Sequence, residues 1–149
     1  MAKTFCKVIG VILIAVGLLG FIAPGMMGMH LSGAHNMVHL ITGAIAAFLG
    51  FRGTYHGCRR FCFIFGAVYT LLAIAGFASG PGVPTTMGNM ATDDHLLKLI
   101  PGSLEFGTAD SVIHAILGVA LLIVGFARPR VSERMAGVVD STKQKLGVR

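Results

Sequence analysis

The chain is strongly apolar: its 149 residues have a mean hydropathy of +0.80, and only 12% of them are charged. About a quarter of the residues of a soluble domain are charged, so this composition excludes an ordinary soluble domain and indicates a membrane protein. The formal net charge of +6 is better explained by contact with the anionic lipid of a bilayer than by a nucleic-acid partner.

Four apolar stretches, at about residues 6–23, 34–52, 60–79 and 109–127, stand out along the chain. Each is close to the ~20 residues that a helix needs to cross the hydrocarbon core of a bilayer. They predict an all-α membrane protein, a four-transmembrane-helix bundle within residues 1–127, with a basic tail at 128–149. The first stretch lacks a small-residue cleavage signature, so we interpret it as a helix that is retained rather than a signal peptide.

Basic residues mark one side of this predicted bundle. Of the 12 lysines and arginines, all but Lys98 lie near the start of the first span, between the second and third spans, or in the tail. By the positive-inside rule these segments face the cytoplasm. We therefore predict cytoplasmic N and C termini and a multi-pass membrane protein.

The loop between the third and fourth spans contains a short apolar run. Either Asp93 or Thr92 can cap this run, which extends from Leu96 to Ile100 and stops at Pro101. A polar cap, an apolar run and a terminating proline together predict a short amphipathic helix on the outer membrane surface.

The two halves of the chain resemble each other, which indicates an internal repeat. Residues of the first span recur in the third with a shift of 56, and residues of the second recur in the fourth with a shift of 75. Cys6 and Cys62 match in this way, as do His39 and His114. The sequence thus predicts two duplicated helical hairpins, with the second and fourth helices facing each other.

Every predicted span carries small residues seven positions apart. Seven residues are two helical turns, so each pair lies on one face of its helix. In lipid, where apolar contact alone gives little association, small residues let helices approach closely. The predicted packing positions are Gly10, Gly17, Gly43, Gly50, Gly66, Ala73, Gly118 and Gly125.

Ionisable residues gather at the outer ends of the second and fourth spans. His35 and His39 are four residues apart on one span, and Asp110 and His114 are four apart on the other. Ionisable groups within a span are costly and usually face the bundle interior with a partner. These four side chains are the candidate metal ligands, and His39 and His114 are the candidate cofactor-binding pair.

Three interpretations of this cluster stay open. The side chains hydrogen-bond one another and hold the hairpins together; or they bind a transition metal such as copper or zinc; or the two inner histidines hold a haem, relay protons or contact a quinone. Nearby residues favour copper among the metals, namely Met26, Met27, Met29, His30 and Met37.

No phosphate loop, nucleotide fingerprint, haem-attachment motif or nucleophilic triad is present, so enzyme activity is not favoured. The sequence predicts a structural or accessory membrane subunit that packs as a homo-oligomer or within a larger membrane complex. The alternative is a membrane-embedded metal- or haem-binding protein.

Three segments are similar to a known family. They are His35–Gly43, with the sequence HNMVHLITG; Phe65–Tyr69, with FGAVY; and Ala109–His114, with ADSVIH. Together they resemble the small bacterial four-span membrane proteins catalogued as domain of unknown function number 4383. The resemblance extends over residues 8–126 and implies a four-helix membrane protein with His39, His114 and Asp110 at their usual places. It also implies a location in the inner (plasma) membrane of a bacterium, and it implies no activity.

Overall fold

The protein is described here from a computed structural model, which describes residues 1–79, 85, 93, 95–127, 135, 138–139, 141–143 and 145–146. Four helices dominate it: α1 (Ala2–Ile22), α2 (Gly33–Phe51), α3 (Tyr55–Ala78) and α4 (Thr108–Phe126). All four are long and apolar enough to cross a membrane, which confirms the prediction of a multi-pass helical protein. Most of the predicted basic tail lies outside the described residues.

The helices pack as two hairpins, α1 with α2 and α3 with α4. One end of the bundle, here called the cap end, carries a 3₁₀ turn at Met26–Gly28, the methionine turn, and a two-stranded β-hairpin. The other end, the terminal end, carries the start of α1 and the end of α4. Two helices have side-chain N-caps. At the start of α2, the Ser32 hydroxyl accepts the His35 N–H at 3.1 Å, and at the start of α3, the Thr54 hydroxyl accepts the Gly57 N–H at 3.1 Å.

Glycines lie where the helices of each hairpin come closest. A Cβ atom on Gly10 would lie 2.5 Å from the Ala47 nitrogen, and one on Gly66 would lie 2.8 Å from the Leu122 nitrogen. Both distances are shorter than real Cβ contacts, so only glycine permits these approaches. The same closeness applies at Gly17, Gly43, Gly50, Gly118 and Gly125, and the eighth predicted packing position, Ala73, is buried.

Contacts between the hairpins differ from the prediction that α2 and α4 face each other. The two hairpins contact each other mainly through α1 with α3 and α2 with α3. On the α1–α3 interface the Sγ atoms of Cys6 and Cys62 are 3.7 Å apart and both residues are buried. Helices α2 and α4 meet through side chains at the cap end, where the imidazoles of His35 and His114 lie near each other.

The predicted amphipathic helix before Pro101 is wrong. Strand β1 (Leu97–Ile100) pairs antiparallel with β2 (Leu104–Phe106). An apolar run this short does not form a stable helix by itself. In a hairpin, the backbone N–H and C=O groups of the run pair with those of the neighbouring strand. Gly102 has φ +76, a conformation that favours glycine, and reverses the chain between the strands. Its N–H donates to Glu105 at 2.9 Å.

Candidate functional site

His35 lies in the first turn of α2 and is held by the loop before it. Its Nδ1 is 2.9 Å from the carbonyl oxygen of His30, while its Nε2 is buried without a hydrogen-bond partner. The Phe106 ring of β2 packs against the imidazole edge-on at 4.9 Å. The short β-hairpin therefore covers the His35 ring from the cap side.

His39 and His114 flank His35 inside the bundle. The His39 ring is 4.4 Å from that of His35, and the His114 ring is 5.9 Å from it. Only 6% of His39 and 4% of His114 is exposed, and Nδ1 of each ring has no hydrogen-bond partner among the described residues. A buried polar atom without a partner costs about 1–3 kcal/mol, so the fold retains two costly groups, each beside the His35 ring.

The Asp110 carboxylate differs from a free metal ligand, because it already accepts hydrogen bonds. Its Oδ2 accepts the backbone N–H groups of Gly107 and of His30, both at 2.9 Å. The first bond caps the start of α4, and the second ties the loop after the methionine turn to that helix. The His30 Nδ1 lies 3.5 Å from the same oxygen. The structure thus brings Asp110 beside the imidazoles but engages it in backbone contacts.

A second carboxylate stabilises the start of α4 from outside the predicted membrane spans. Asp93 accepts the Thr108 N–H at 2.8 Å, the Thr108 hydroxyl, and the His95 N–H at 3.1 Å. Partial burial alone would raise the pKa of Asp93, but these hydrogen bonds outweigh it and hold the pKa below its usual value. Asp93 and Asp110 together fix the position of His114 one turn further along α4.

The imidazoles open onto a groove between α1 and α4 with a volume of about 420 Å³. Apolar residues line nearly all of it: Phe5, Ile9, Ile12, Leu13 and Val16 of α1, and Ile113, Ile116, Leu117 and Ala120 of α4. Its cap end is formed by His39, Asp110, His114 and the methionines Met26, Met27 and Met29. An apolar cavity with a few polar groups at one end is the usual form of a small-molecule site.

The groove is open along its side. Ile12 on one wall is 48% exposed and Ile116 on the other is 67% exposed. Both residues lie in the middle of helices long enough to span a membrane. A molecule dissolved in the bilayer would therefore reach the groove without passing through water.

A metal site is not preformed in this arrangement. Within the part of the chain that the structure describes, no three histidine, cysteine, aspartate or glutamate side chains are placed to hold a metal ion. The imidazoles of His35, His39 and His114 are nevertheless close neighbours. Binding by these three would require their rings to turn toward one point, so the metal assignment stays a prediction.

Sequence reasoning missed several residues of the site. Phe106 contacts the rings of both His35 and His114, at 4.9 and 5.4 Å, and Tyr69 of α3 contacts His114 at 5.1 Å. The groove itself was also missed, because it depends on how α1 packs against α4. The alternation of Leu104, Glu105 and Phe106 directly before a helix start was the available signal for a strand, although both Glu105 and Phe106 are buried in the structure.

Comparison with known proteins adds no assignment to this geometry. No protein-family model, no curated protein and no solved structure matches the chain. The resemblance to the four-span family therefore stays a prediction.

Proposed function

We propose that this protein is a small accessory protein of the bacterial plasma membrane that holds a lipid-soluble ligand in the groove between α1 and α4. One observation carries the proposal. The Nδ1 atoms of His39 and His114 are buried without partners, and both side chains line the polar end of an apolar groove that opens toward lipid.

The orphaned nitrogens argue against a cluster that serves packing alone. If the histidines only held the hairpins together, each buried ring nitrogen would be expected to find a partner within the protein. The structure instead satisfies Asp110 with backbone N–H groups and leaves Nδ1 of each inner imidazole without a partner. Proteins keep such costly groups mainly where a ligand completes them.

The proposal includes the orientation of the bundle. The terminal end carries Lys3, Lys7, Arg52, Arg59 and Arg60, and the described part of the cap end carries Lys98. The positive-inside rule places the terminal end in the cytoplasm. The histidines and the polar end of the groove then lie in the outer leaflet.

We also infer that the two hairpins are copies of one ancestral hairpin. Matched contacts support this inference: Gly10 lies against Ala47, and its counterpart Gly66 lies against Leu122, the residue 75 positions after Ala47. The same holds for two further glycines, because Gly50 lies against Lys7 and Gly125 against Phe63, 56 positions after Lys7.

The second candidate function is metal or haem binding at the same place. The observation that favours it is the donor set at the polar end of the groove, where the methionine turn brings thioethers beside imidazoles. Thioether and imidazole together suit copper(I). This candidate uses the same histidines as the first. Identifying what the purified protein binds therefore distinguishes the two candidates.

The test is an inventory of what the purified protein retains. The full chain is extracted from a bacterial membrane in mild detergent, and bound molecules are identified by mass spectrometry, metal analysis and visible absorption. The wild type is compared with the double variant His39→Leu/His114→Leu. His56→Leu is the matched control, because His56 is exposed at the terminal end, away from the groove.

We expect the wild type and His56→Leu to retain a lipid-soluble molecule at about one per chain. The double variant should retain less than a tenth of that amount. Stoichiometric metal or a Soret band that disappears in the double variant would replace the proposal with the second candidate. A wild type that retains nothing would overturn it in favour of a structural polar cluster.

A further inference from the structure

We propose that the ligand of the groove is an isoprenoid quinone, with its carbonyl head at His39 and His114 and its tail along α1 and α4. The inference rests on the proposed function and names the chemical class of the ligand. Three features of the described site carry it: the charge at the polar end, the aromatic and thioether groups around it, and the shape of the apolar part.

The polar end suits an uncharged head. The described residues that line the groove include no lysine or arginine, so nothing there would hold a phosphate or a carboxylate. The one carboxylate, that of Asp110, already accepts two backbone N–H groups. A neutral imidazole offers one N–H donor, so each of the two imidazoles can donate to a carbonyl oxygen of an uncharged head. Glycerol lipids with ionised heads are disfavoured by the same reasoning.

The surroundings suit a planar aromatic head. Tyr69 and Phe106 pack against the His114 ring at 5.1 and 5.4 Å, which fixes the imidazole at the end of the groove. Met26, Met27 and Met29 cover the same end. Thioethers make favourable contacts with aromatic rings and adapt to their outline. Met27 also has φ +56, an uncommon conformation for a residue other than glycine, and such strain is found most often at ligand sites.

The remaining groove suits a branched apolar chain. Its α1 wall runs from Val16 to Phe5, a rise of about 16 Å at 1.5 Å per residue, and is lined by apolar side chains. The opening between Ile12 and Ile116 faces the side of the bundle. A tail longer than the groove therefore continues into the bilayer instead of requiring a closed cavity.

The second hairpin carries larger side chains at the positions that match the α1 wall of the groove. By the shift of 56, the α1 residues Ile9 and Leu13 correspond to Phe65 and Tyr69 of α3. In α3 these aromatic side chains pack into the core, with Phe65 stacked on Phe61 at 4.4 Å. The corresponding α1 positions carry the smaller side chains of Ile9 and Leu13, which line the groove. The variant Ile9→Phe introduces the larger α3 side chain at the groove while leaving both imidazoles intact.

The test is photolabelling of the full chain in phosphatidylcholine nanodiscs with an azido-quinone. We expect labelling of the peptides that contain the methionine turn and Ile113–Ala120. Decylubiquinone should displace the label at a concentration at least tenfold lower than didecanoylglycerol or decanoic acid. Ile9→Phe should reduce labelling at least tenfold. Leu71→Phe is its matched control, because Leu71 lies on α3 and is 65% exposed, and it should label like the wild type.

Each other outcome has a defined meaning. Equal displacement by the diglyceride or the fatty acid would overturn the quinone assignment but leave a lipid-soluble ligand in the groove, as the proposed function requires. Labelling that Ile9→Phe leaves unchanged would place the quinone outside the groove and overturn this inference as well. Both proposals would be overturned if none of the three competitors displaced the label and the purified protein retained no lipid.

Discussion

At the scale of single residues, some polar groups of the site have hydrogen-bond partners and others have none. Asp110 accepts two backbone N–H groups and holds the loop around His30 against α4. His39 and His114 have an unpaired Nδ1 each. The carboxylate is therefore a structural element of the site. The two inner imidazoles are left available to a ligand, as is the Nε2 atom of His35, which is also buried without a partner.

This division predicts that Asp110 matters for stability. The variant Asp110→Ala leaves the N–H groups of His30 and Gly107 without their acceptor, and each unsatisfied buried donor costs about 1–3 kcal/mol. We expect the free energy of unfolding to fall by about 2–4 kcal/mol, measured by circular dichroism during denaturation in detergent. Asp110→Asn retains an acceptor oxygen and should lose less than half as much. Equal stability of Asp110→Ala and the wild type would show that these bonds are dispensable.

The residues that carry the proposed chemistry were partly predictable. Ionisable side chains four apart near the ends of two apolar spans are rare and costly, so His35, His39, Asp110 and His114 stand out in the sequence. Their hydrogen bonds do not follow from spacing, because the partners of Asp110 and His35 are backbone groups of loops. Phe106 has its role only because β2 folds back over α2 and α4.

At the scale of elements, the glycines determine how close the helices of each hairpin come. Long apolar stretches predict helices because lipid requires internal hydrogen bonding of the whole backbone. The same argument does not extend to the segment before Pro101. That segment forms the four-residue strand β1, and its backbone hydrogen-bond partners are in β2. Short elements depend on tertiary partners that a sequence pattern does not reveal.

The glycine contacts predict a local effect of added volume. In Gly10→Ala the new methyl group would lie 2.5 Å from the Ala47 nitrogen, so α1 and α2 must move apart. Overpacking of this kind costs about 1–3 kcal/mol, and we expect a lower melting temperature in detergent. Gly25→Ala is the matched control, because nothing lies within 4 Å of its Cβ position and its φ is −98. A melting temperature of Gly10→Ala equal to that of the control would contradict a tight α1–α2 contact.

At the scale of the whole molecule, the cap end and the terminal end have different chemistry. The cap end carries the imidazoles, two buried carboxylates at Glu105 and Asp110, and the methionine turn. The terminal end carries cations, one of which is fixed: Arg59 donates to the carbonyl oxygen of Gly125 from Nε at 3.1 Å and from Nη2 at 3.0 Å. This contact satisfies a free carbonyl at the end of α4. The groove joins the two regions along the membrane-spanning part.

The distribution of charge predicts the orientation of the bundle. Of the 12 lysines and arginines, all but Lys98 belong to segments at the terminal end or to the tail that follows it, and translocating such segments across the membrane is disfavoured. We expect a green fluorescent protein fused after Arg149 to fluoresce and an alkaline phosphatase fused there to be inactive. The same phosphatase inserted after Gly28, in the methionine turn, should be active. Active phosphatase at the C terminus with an inactive insertion at Gly28 would reverse the bundle and place the polar end of the groove in the inner leaflet.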